Sequence, residues 1–351
     1  MGEKHPGVRG RGTAENPINR FEPLEIESLE PRPDKVETRF LRDTTRSILA
    51  TNDSPDVGFD VSINPYRGCE HGCAYCYART THEYLGFSAG LDFETRILVK
   101  EDAPELLERE LGKPGWRPQP IGISGVTDPY QPIERRLEIT RGCLAVLARY
   151  RNPVILVTKN ALVTRDLDHL SDLAAHGAAI VCLSVTTLDG ELSRRLEPRA
   201  SHPRDRLAAI AELEAAGVPC GMLIAPIVPG LTDHELPSIV EAGAKAGVSY
   251  ASFLTLRLPG AVEELFDAWL ARHAPDRRDK VLNRLREFHG GRLNDPRFGH
   301  RMRGEGVFYE QIAALFAAAC RRHGVGRGRP ELSTAAFRRP GGDQMPLFAD
   351  R

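Results

Sequence analysis

No long hydrophobic run occurs anywhere in the chain. A membrane helix needs roughly 20 consecutive apolar residues, and the longest apolar stretches here, such as 154–157 and 222–228, are strand-sized. The first 20 residues are polar and lack the apolar core of a secretory signal. A cytoplasmic protein without a membrane partner is therefore expected. Charge of one sign is missing too: 47 Lys and Arg face 48 Asp and Glu, a formal net charge of −1. That balance excludes a chain that binds nucleic acid through overall basicity. Lysine is scarce, only seven of the 47 basic residues, which leaves 40 arginines. Codon usage in a GC-rich genome produces such a bias, and arginine also suits phosphate and carboxylate recognition. Cysteine is odd in number, at seven, which excludes a disulfide framework in a cytosolic chain.

What is present is ordinary globular material. The 351 residues are 41% apolar and 27% charged, enough to bury a sizeable core in about two domains or in one large α/β domain with extensions. Residues 1–55 read as an N-terminal extension, proline-containing and weakly periodic. From Gly58 short apolar runs alternate with helical patterns. Strands are predicted at 60–65, 120–126, 153–158, 179–186, 219–228 and 250–256, and helices at 103–112, 133–150, 165–176, 203–217 and 232–246. Gly217 and Gly247 stand where left-handed helix caps are expected, each just before a strand. This alternation argues an α/β protein with a mostly parallel sheet, either doubly wound or an incomplete barrel, and both place their chemistry at the carboxyl ends of the strands. The core unit spans 56–260. A helical region (261–323) and a flexible basic tail (324–351) follow, and arginines 321, 322, 327, 329, 338 and 339 oppose only Glu331 between residues 321 and 340.

Three of the seven cysteines crowd into eight residues, in Gly68-Cys69-Glu70-His71-Gly72-Cys73-Ala74-Tyr75-Cys76-Tyr77 directly after the first predicted strand of that unit. Three thiolates in a short loop can hold three corners of an iron–sulfur cubane, and Gly68 and Gly72 let the backbone fold tightly around sulfur. No fourth cysteine lies nearby, so one iron would stay open. Two other readings remain: a structural zinc on Cys69, Cys73, Cys76 and His71, or cysteines without any ligand role. Cys143, Cys182, Cys220 and Cys320 stand singly among apolar residues and read as core filler.

Cys-x3-Cys-x2-Cys after the first strand, with Tyr75 before the last cysteine, resembles the signature of the radical S-adenosylmethionine (SAM) superfamily. The resemblance implies a partial (β/α)6 TIM-type barrel and a [4Fe–4S] cluster on Cys69, Cys73 and Cys76. It implies SAM bound at the open iron and cleaved to methionine and a 5′-deoxyadenosyl radical, and an electron donor such as flavodoxin or ferredoxin. It places the SAM contacts at strand ends: Ser124 and Gly125 after the second strand, Lys159 after the third for the methionine carboxylate, Ser184 in the fourth for the ribose, and Ala225 in the fifth beside adenine, with Tyr75 in the loop.

The runs Ser124–Glu134, Leu196-Glu197-Pro198-Arg199 and 225–230 are similar to a spore photoproduct lyase-like branch, over about 200 residues from Phe59 to Leu258. Those lyases reverse a UV-induced thymine dimer in DNA. They use a cysteine hydrogen donor two residues before the Ser124 position, where this chain has Gly122. The start Arg9-Gly10-Arg11-Gly12, Asn16-Pro17 and Arg20-Phe21-Glu22 resembles that of uncharacterised bacterial radical SAM proteins. Tyr77, Asp128, Glu197 and Arg199 are the catalytic candidates, with Glu134 as a further barrel-mouth carboxylate. The plainer alternatives are a helix-dipole role for Glu134 and an ion pair between Glu197 and Arg199. Gln344-Met345-Pro346-Leu347-Phe348 resembles the peptide that docks bacterial proteins on the DNA sliding clamp, and the basic stretch before it would suit phosphates. Three functions follow as expectations: radical SAM chemistry in DNA repair, radical SAM modification of another macromolecule or metabolite, or a non-catalytic metal-binding module tethered to the clamp.

Overall fold

The computed structural model describes residues 8–22, 36–123 and 125–340. Ser124 and the Gln344–Phe348 motif lie outside the described residues. Val, Ile and Leu dominate the long strands, the composition of parallel strands covered on both faces. In chain order the strands are β1 (Arg39–Arg42), β2 (Leu49–Thr51), β3 (Val61–Ile63), β4 (Tyr66–Arg67), β5 (Arg96–Val99), β6 (Ile121–Ile123), β7 (Val154–Thr158), β8 (Ala179–Ser184), β9 (Cys220–Ile227) and β10 (Tyr250–Thr255). The helices are α1 (Leu91–Thr95), α2 (Ala103–Gly112), α3 (Glu134–Leu137), α4 (Ile139–Tyr150), α5 (Leu167–Ala174), α6 (Gly190–Leu196), α7 (Pro203–Ala215), α8 (Leu236–Lys245), α9 (Val262–His273), α10 (Pro275–Phe288) and α11 (Val307–His323). The main sheet runs β10-β9-β8-β7-β6-β3-β2. Its strands β3, β6, β7, β8, β9 and β10 pair in parallel, in chain order, and β2 adds antiparallel on the outer edge of β3. Six parallel strands in sequential order, each crossover carrying helix, form a partial (β/α)6 barrel, as the family resemblance implied. None of the helices among the described residues is long and apolar enough to cross a membrane.

Local departures from the predicted elements have local causes. The helix expected over 133–150 is split into α3 and α4 because Glu138 adopts a left-handed conformation (φ 54°). The strand expected over 120–126 is only Ile121–Ile123, and the following residues turn toward the cluster loop. Residues 1–55 were expected to be irregular or wrapped on the surface; among those described, β1 joins a small sheet, β1-β5-β4, and β2 extends the barrel. The tail differs more. Val325 is buried, the Ser333 amide donates to the Gly177 carbonyl, the Arg338 amide to the Tyr150 carbonyl, and the Arg339 guanidinium to the Lys113 and Trp116 carbonyls. Arg329 donates to the carbonyl of Gly58. Residues 325–340 thus lie across the amino-terminal end of the barrel, so the basic stretch is fixed to the face opposite the strand carboxyl ends.

Ile312, Phe316, Ala319 and Cys320 on α11 pack into the main core. A second core joins α9 and α10 to the cysteine loop, where Phe266, Trp269, Val281 and Leu285 share a cluster with Cys73, Ala74 and Tyr75.

The N-terminal residues 8–20 form a strap across the outside of that loop. The Gly12 and Thr13 amides donate to the Glu94 carboxylate at 3.0 and 3.1 Å. Asn16 exchanges two hydrogen bonds with Asp92, and Asn19 donates to the carbonyls of Glu83 and Phe87. At Gly12 a Cβ would stand 1.6 Å from the Gly72 carbonyl oxygen, so only glycine fits. Gly12→Ala is expected to lower the unfolding free energy by about 2 kcal/mol in urea denaturation; a loss below about 0.5 kcal/mol, the usual surface value, would show that the strap does not pack on the loop.

Candidate cluster and cofactor site

The cysteine loop leaves β4 and is shaped by its glycines and by buried charge. Gly68 (φ 81°) and Gly72 (φ 66°) take left-handed conformations, which glycine adopts without steric cost. The Arg79 guanidinium is fully buried and donates Nε and Nη2 to the Cys73 carbonyl at 3.0 and 2.8 Å. Its Nη2 also meets Glu94 at 2.6 Å, and Glu94 in turn holds the strap. Glu70 ties the other side: its carboxylate accepts from Arg199 (2.8 Å), Thr38 (3.0 Å) and the Ile133 amide (3.0 Å).

The loop opens onto a cavity of about 300 Å³ at the carboxyl ends of the barrel strands. All three cysteines line it, with Tyr75, Tyr77, Gly125, Asp128, Lys159, Ser184 and Ala225. The structure therefore brings together every described residue proposed for cluster or SAM contact, and two of the four catalytic candidates. Glu197 and Arg199 are not among the lining residues. Glu197 is fully buried behind Tyr75, bonded to the Tyr75 hydroxyl, to Thr186 at 2.6 Å and to Arg206. Arg199 pairs with Glu70 outside the loop, so no Glu197–Arg199 ion pair forms; each has a nearer partner of opposite charge. Glu134 does take the helix N-terminal place expected of it: it opens α3, and its carboxylate accepts from the Thr140 and Arg141 amides in the first turn of α4. It is buried, accepts from the Tyr66 hydroxyl and pairs with Arg165 at 2.9 Å.

Asp128 lines the cavity with both carboxylate oxygens engaged. Oδ1 accepts from the Thr158 hydroxyl (2.7 Å) and the Tyr130 amide (2.9 Å), and Oδ2 from the Lys159 amide (2.7 Å) and His71 Nδ1 (3.3 Å). Burial pushes its pKa up, but His71 and these donors outweigh burial and hold it at about 2. Asp128 thus ties the cluster loop to the tip of β7 as a fixed anion. Lys159 Nζ donates to the Ala225 carbonyl at 3.3 Å and sits over the Tyr75 ring at 5.9 Å. Tyr77 donates its hydroxyl to the Gly125 carbonyl at 2.6 Å, and Arg257 lies over its ring at 4.8 Å. The space beside Gly122 is filled by the Phe59 ring, which would stand 2.7 Å from a Cβ there.

The donor set fits a cluster with three protein ligands. Burial raises all three thiol pKa values, followed by the charge of Asp128 at Cys69 and of Glu197 at Cys73. Thiols held neutral in this way ionise when a cation is placed on them. His71 cannot serve as a fourth ligand as placed, because Nδ1 faces Asp128 and Nε2 faces Asn160 at 3.2 Å. The zinc reading, which needs that imidazole, loses its fourth donor.

Several residues of the site had no signal in the cysteine spacing. Arg79, Glu94, Arg206 and Arg257 come from outside the motif, and Glu70 stands between its first two cysteines. Their clue was the polar start with its Arg-Gly-Arg-Gly run, whose glycine marks the close approach at Gly72.

Residues 63–242 match the sequence profile described as the Radical SAM superfamily. An uncharacterized protein of Mycobacterium tuberculosis is 36% identical over 262 residues, covering 74% of this chain and 74% of the relative. A protein named radical SAM Nalpha-GlyT isomerase, from Pseudomonas phage M6, is 27% identical over 178 residues, covering 50% of this chain and 35% of its own length. Among solved structures, spore photoproduct lyase complexed with dinucleoside spore photoproduct superposes with a TM-score of 0.58 at 16% identity, covering 81% of this chain and 79% of that one. This likeness is one of fold.

The buried Glu197–Arg206 pair gives a direct test of how the loop is supported. Removing one partner of such a pair strands the other charge and costs about 3–5 kcal/mol. Glu197→Gln is expected to lose that amount at neutral pH by chemical denaturation. Burial raises the Glu197 pKa, but Arg206, Lys159, Thr186 and Tyr75 bring it to about 2, below its ordinary 4.5. Its contribution is therefore full above pH 4.5 and fades as pH falls toward 2. The wild type should lose stability across that window more steeply than the variant. Equal stability of the two proteins at neutral pH would contradict this assignment.

Proposed function

The chain belongs to the radical SAM superfamily, and from that premise we propose that it is a [4Fe–4S] enzyme acting on a nucleobase in DNA. The observation that carries the enzymatic reading is the convergence of Cys69, Cys73 and Cys76 on one cavity with His71 engaged elsewhere. When bound, the cluster would supply the electron that cleaves SAM to methionine and a 5′-deoxyadenosyl radical. The chain's own residues bind and orient. Lys159, at the tip of β7, offers the cation for the methionine carboxylate. Ser184, at the end of β8, would meet the ribose, and Ala225 with Pro226 would give an apolar wall to adenine. Gly125 would complete the SAM contacts proposed from the sequence, with Ser124 as the remaining candidate. Asp128, with all its lone pairs directed at donors of the chain, orients Lys159 and His71 and does not transfer a proton. Glu197 and Arg199 position Tyr75 and Glu70 in the same indirect way.

Tyr77 faces the cavity and is the remaining candidate for contact with substrate or with a migrating hydrogen atom. No cysteine lines the cavity apart from the three ligands among the described residues, and Gly122 stands where the photoproduct lyases carry their thiol. This disfavours a lyase that quenches its product through a cysteine. A nucleobase substrate draws support from the fold shared with spore photoproduct lyase in its dinucleoside complex. Modification of another macromolecule or a metabolite is the competing outcome.

Anaerobic reconstitution should load about four irons per chain, and with a reductant and SAM the protein should release 5′-deoxyadenosine. Cys69→Ala, Cys73→Ala and Cys76→Ala should each abolish that release. Zinc in place of iron, or iron without 5′-deoxyadenosine, would establish the non-catalytic module instead. Analysis of irradiated DNA after turnover decides the substrate: an altered nucleobase supports DNA, and unchanged DNA removes it. The clamp-docking reading of Gln344–Phe348 is separate. Deleting 341–351 should abolish binding to the sliding clamp, and unchanged binding would end that reading.

A further inference from the structure

Arginines crowd around the cysteine loop, and nearly all of them are matched. Arg79 holds Glu94, Arg199 holds Glu70, Arg206 holds Glu197, and Arg301 holds Asp56. Arg257 is the exception. It follows β10 at the carboxyl end of the barrel and lines the cavity shared with the three cysteines. Its Nε is buried without an acceptor. Among the described residues its one hydrogen-bond contact is from Nη1 to the Met302 thioether at 3.8 Å, and a thioether is a weak acceptor. No carboxylate of the described residues lies within salt-bridge distance of it; Asp56, which shares the cavity wall, is held by Arg301 at 2.6 Å and by the Gly299 amide at 2.8 Å.

Arg257 is half-buried, and withdrawing even one of its donors from water without an acceptor is costly. Its Cζ lies over the Tyr77 ring, 4.8 Å from the centroid, and Tyr77 is pinned by its hydroxyl to Gly125. A contact with a ring satisfies no N–H donor, and a guanidinium whose donors lack strong acceptors suits a bidentate oxyanion. Lys159 already supplies a cation on the Tyr75 side of the cavity, so Arg257 marks a second anionic position, on the Tyr77 side. The segment between α10 and α11 that brings Met302 to the cavity wall also carries Arg292 and Arg303, exposed and, among the described residues, without a carboxylate partner, and Phe298, which is 54% exposed.

We propose that Arg257 is the seat for a phosphodiester of a nucleic-acid strand, separate from the SAM position, and that it fixes the strand so that one nucleoside reaches the cavity beside the cysteine loop. This rests on the nucleobase reading above and names its anchor. Arg292 and Arg303 attract the backbone from outside, and Arg257 reads one phosphate with its edge donors. The Tyr77–Arg257 contact then couples the position of that phosphate to the Tyr77 phenol on the cavity wall.

The test uses the full chain, reconstituted with iron and sulfide, and a short fluorescein-labelled oligothymidylate followed by anisotropy. A lost charge-assisted contact corresponds to roughly a tenfold to hundredfold weakening, and one phosphate contact fewer lowers the salt-dependence slope by about 0.7 for a single strand. Arg257→Gln should show both changes, and Arg257→Lys should recover part of the affinity. The same strand with an uncharged methylphosphonate backbone should bind weakly and be indifferent to the substitution. Equal iron content in wild type and variants verifies that the loop is intact; a variant that loads less iron is replaced in the comparison by Arg257→Lys, whose charge is retained and whose affinity for the strand should still fall. Unchanged affinity and slope in Arg257→Gln, no binding of the strand by the wild type, or a loss confined to SAM binding would each overturn the proposal. Release of 5′-deoxyadenosine by the wild type is read separately. If it is present while Arg257→Gln binds the strand normally, only this inference falls. If it is absent while Arg257 governs strand binding, the proposed reaction falls and the anchor stands.

Discussion

One buried guanidinium holds the cysteine loop in place. Arg79 has no access to solvent, and it spends its donors on the Cys73 carbonyl, the carbonyls of Ala89 and Gly90, and the Glu94 carboxylate. An arginine in that position is tolerable only because Glu94 neutralises it, and Glu94 is itself satisfied by the backbone of Gly12 and Thr13. The strap, the ion pair and the middle cysteine are therefore one unit. Loss of any member leaves a charge or a polar group buried without a partner. The same logic recurs on the far side of the loop, where Glu197 and Arg206 support Tyr75, and at Glu70, where Arg199 closes the outer edge. Three buried or half-buried ion pairs thus surround three neutral thiols and keep them facing the cavity.

The barrel contributes the position. Parallel strands in chain order present their carboxyl ends on one side, and β6, β7, β8, β9 and β10 each deliver a lining residue there: Gly125, Lys159, Ser184, Ala225 and Arg257. Asp128 joins the first two of these strands to His71 of the loop. The cavity is consequently a composite of loop and strand ends whose parts are tied by charge, while the amino-terminal end of the barrel is closed by residues 325–340. That placement separates the basic tail from the chemistry and leaves the arginines near the mouth, in the segment after α10, as the positive surface close to the cavity.

Much of this was legible in the sequence because it rests on short-range patterns. The six-strand rhythm came from apolar runs bounded by Gly and Pro, and the cysteine loop from spacing within eight residues. Lys159, Ser184 and Ala225 were named because the radical SAM resemblance places SAM contacts toward the carboxyl ends of the predicted strands. What escaped were pairings between residues far apart in the chain. Glu197 and Arg199 are two apart and look like a pair, yet the turn between α6 and α7 sends Glu197 inward to Arg206 and Arg199 outward to Glu70. Residues 8–20 looked irregular because a strap makes its hydrogen bonds to another segment and so has no period of its own. The break at Glu138 was equally hidden, since a left-handed glutamate inside an otherwise helical pattern has no local marker. Arg257 was invisible for a different reason: it is defined by the absence of a partner, which only the packed structure shows.

The central claim is that three thiolates of one loop hold a cluster whose fourth iron has no protein ligand. Mössbauer spectroscopy of the protein reconstituted with isotopically enriched iron, recorded before and after addition of SAM, addresses it directly. The account predicts that one of the four irons of each cluster changes its isomer shift and quadrupole splitting when SAM is added, while the other three keep theirs. A spectrum in which all the irons are equivalent and unaffected by SAM would contradict it.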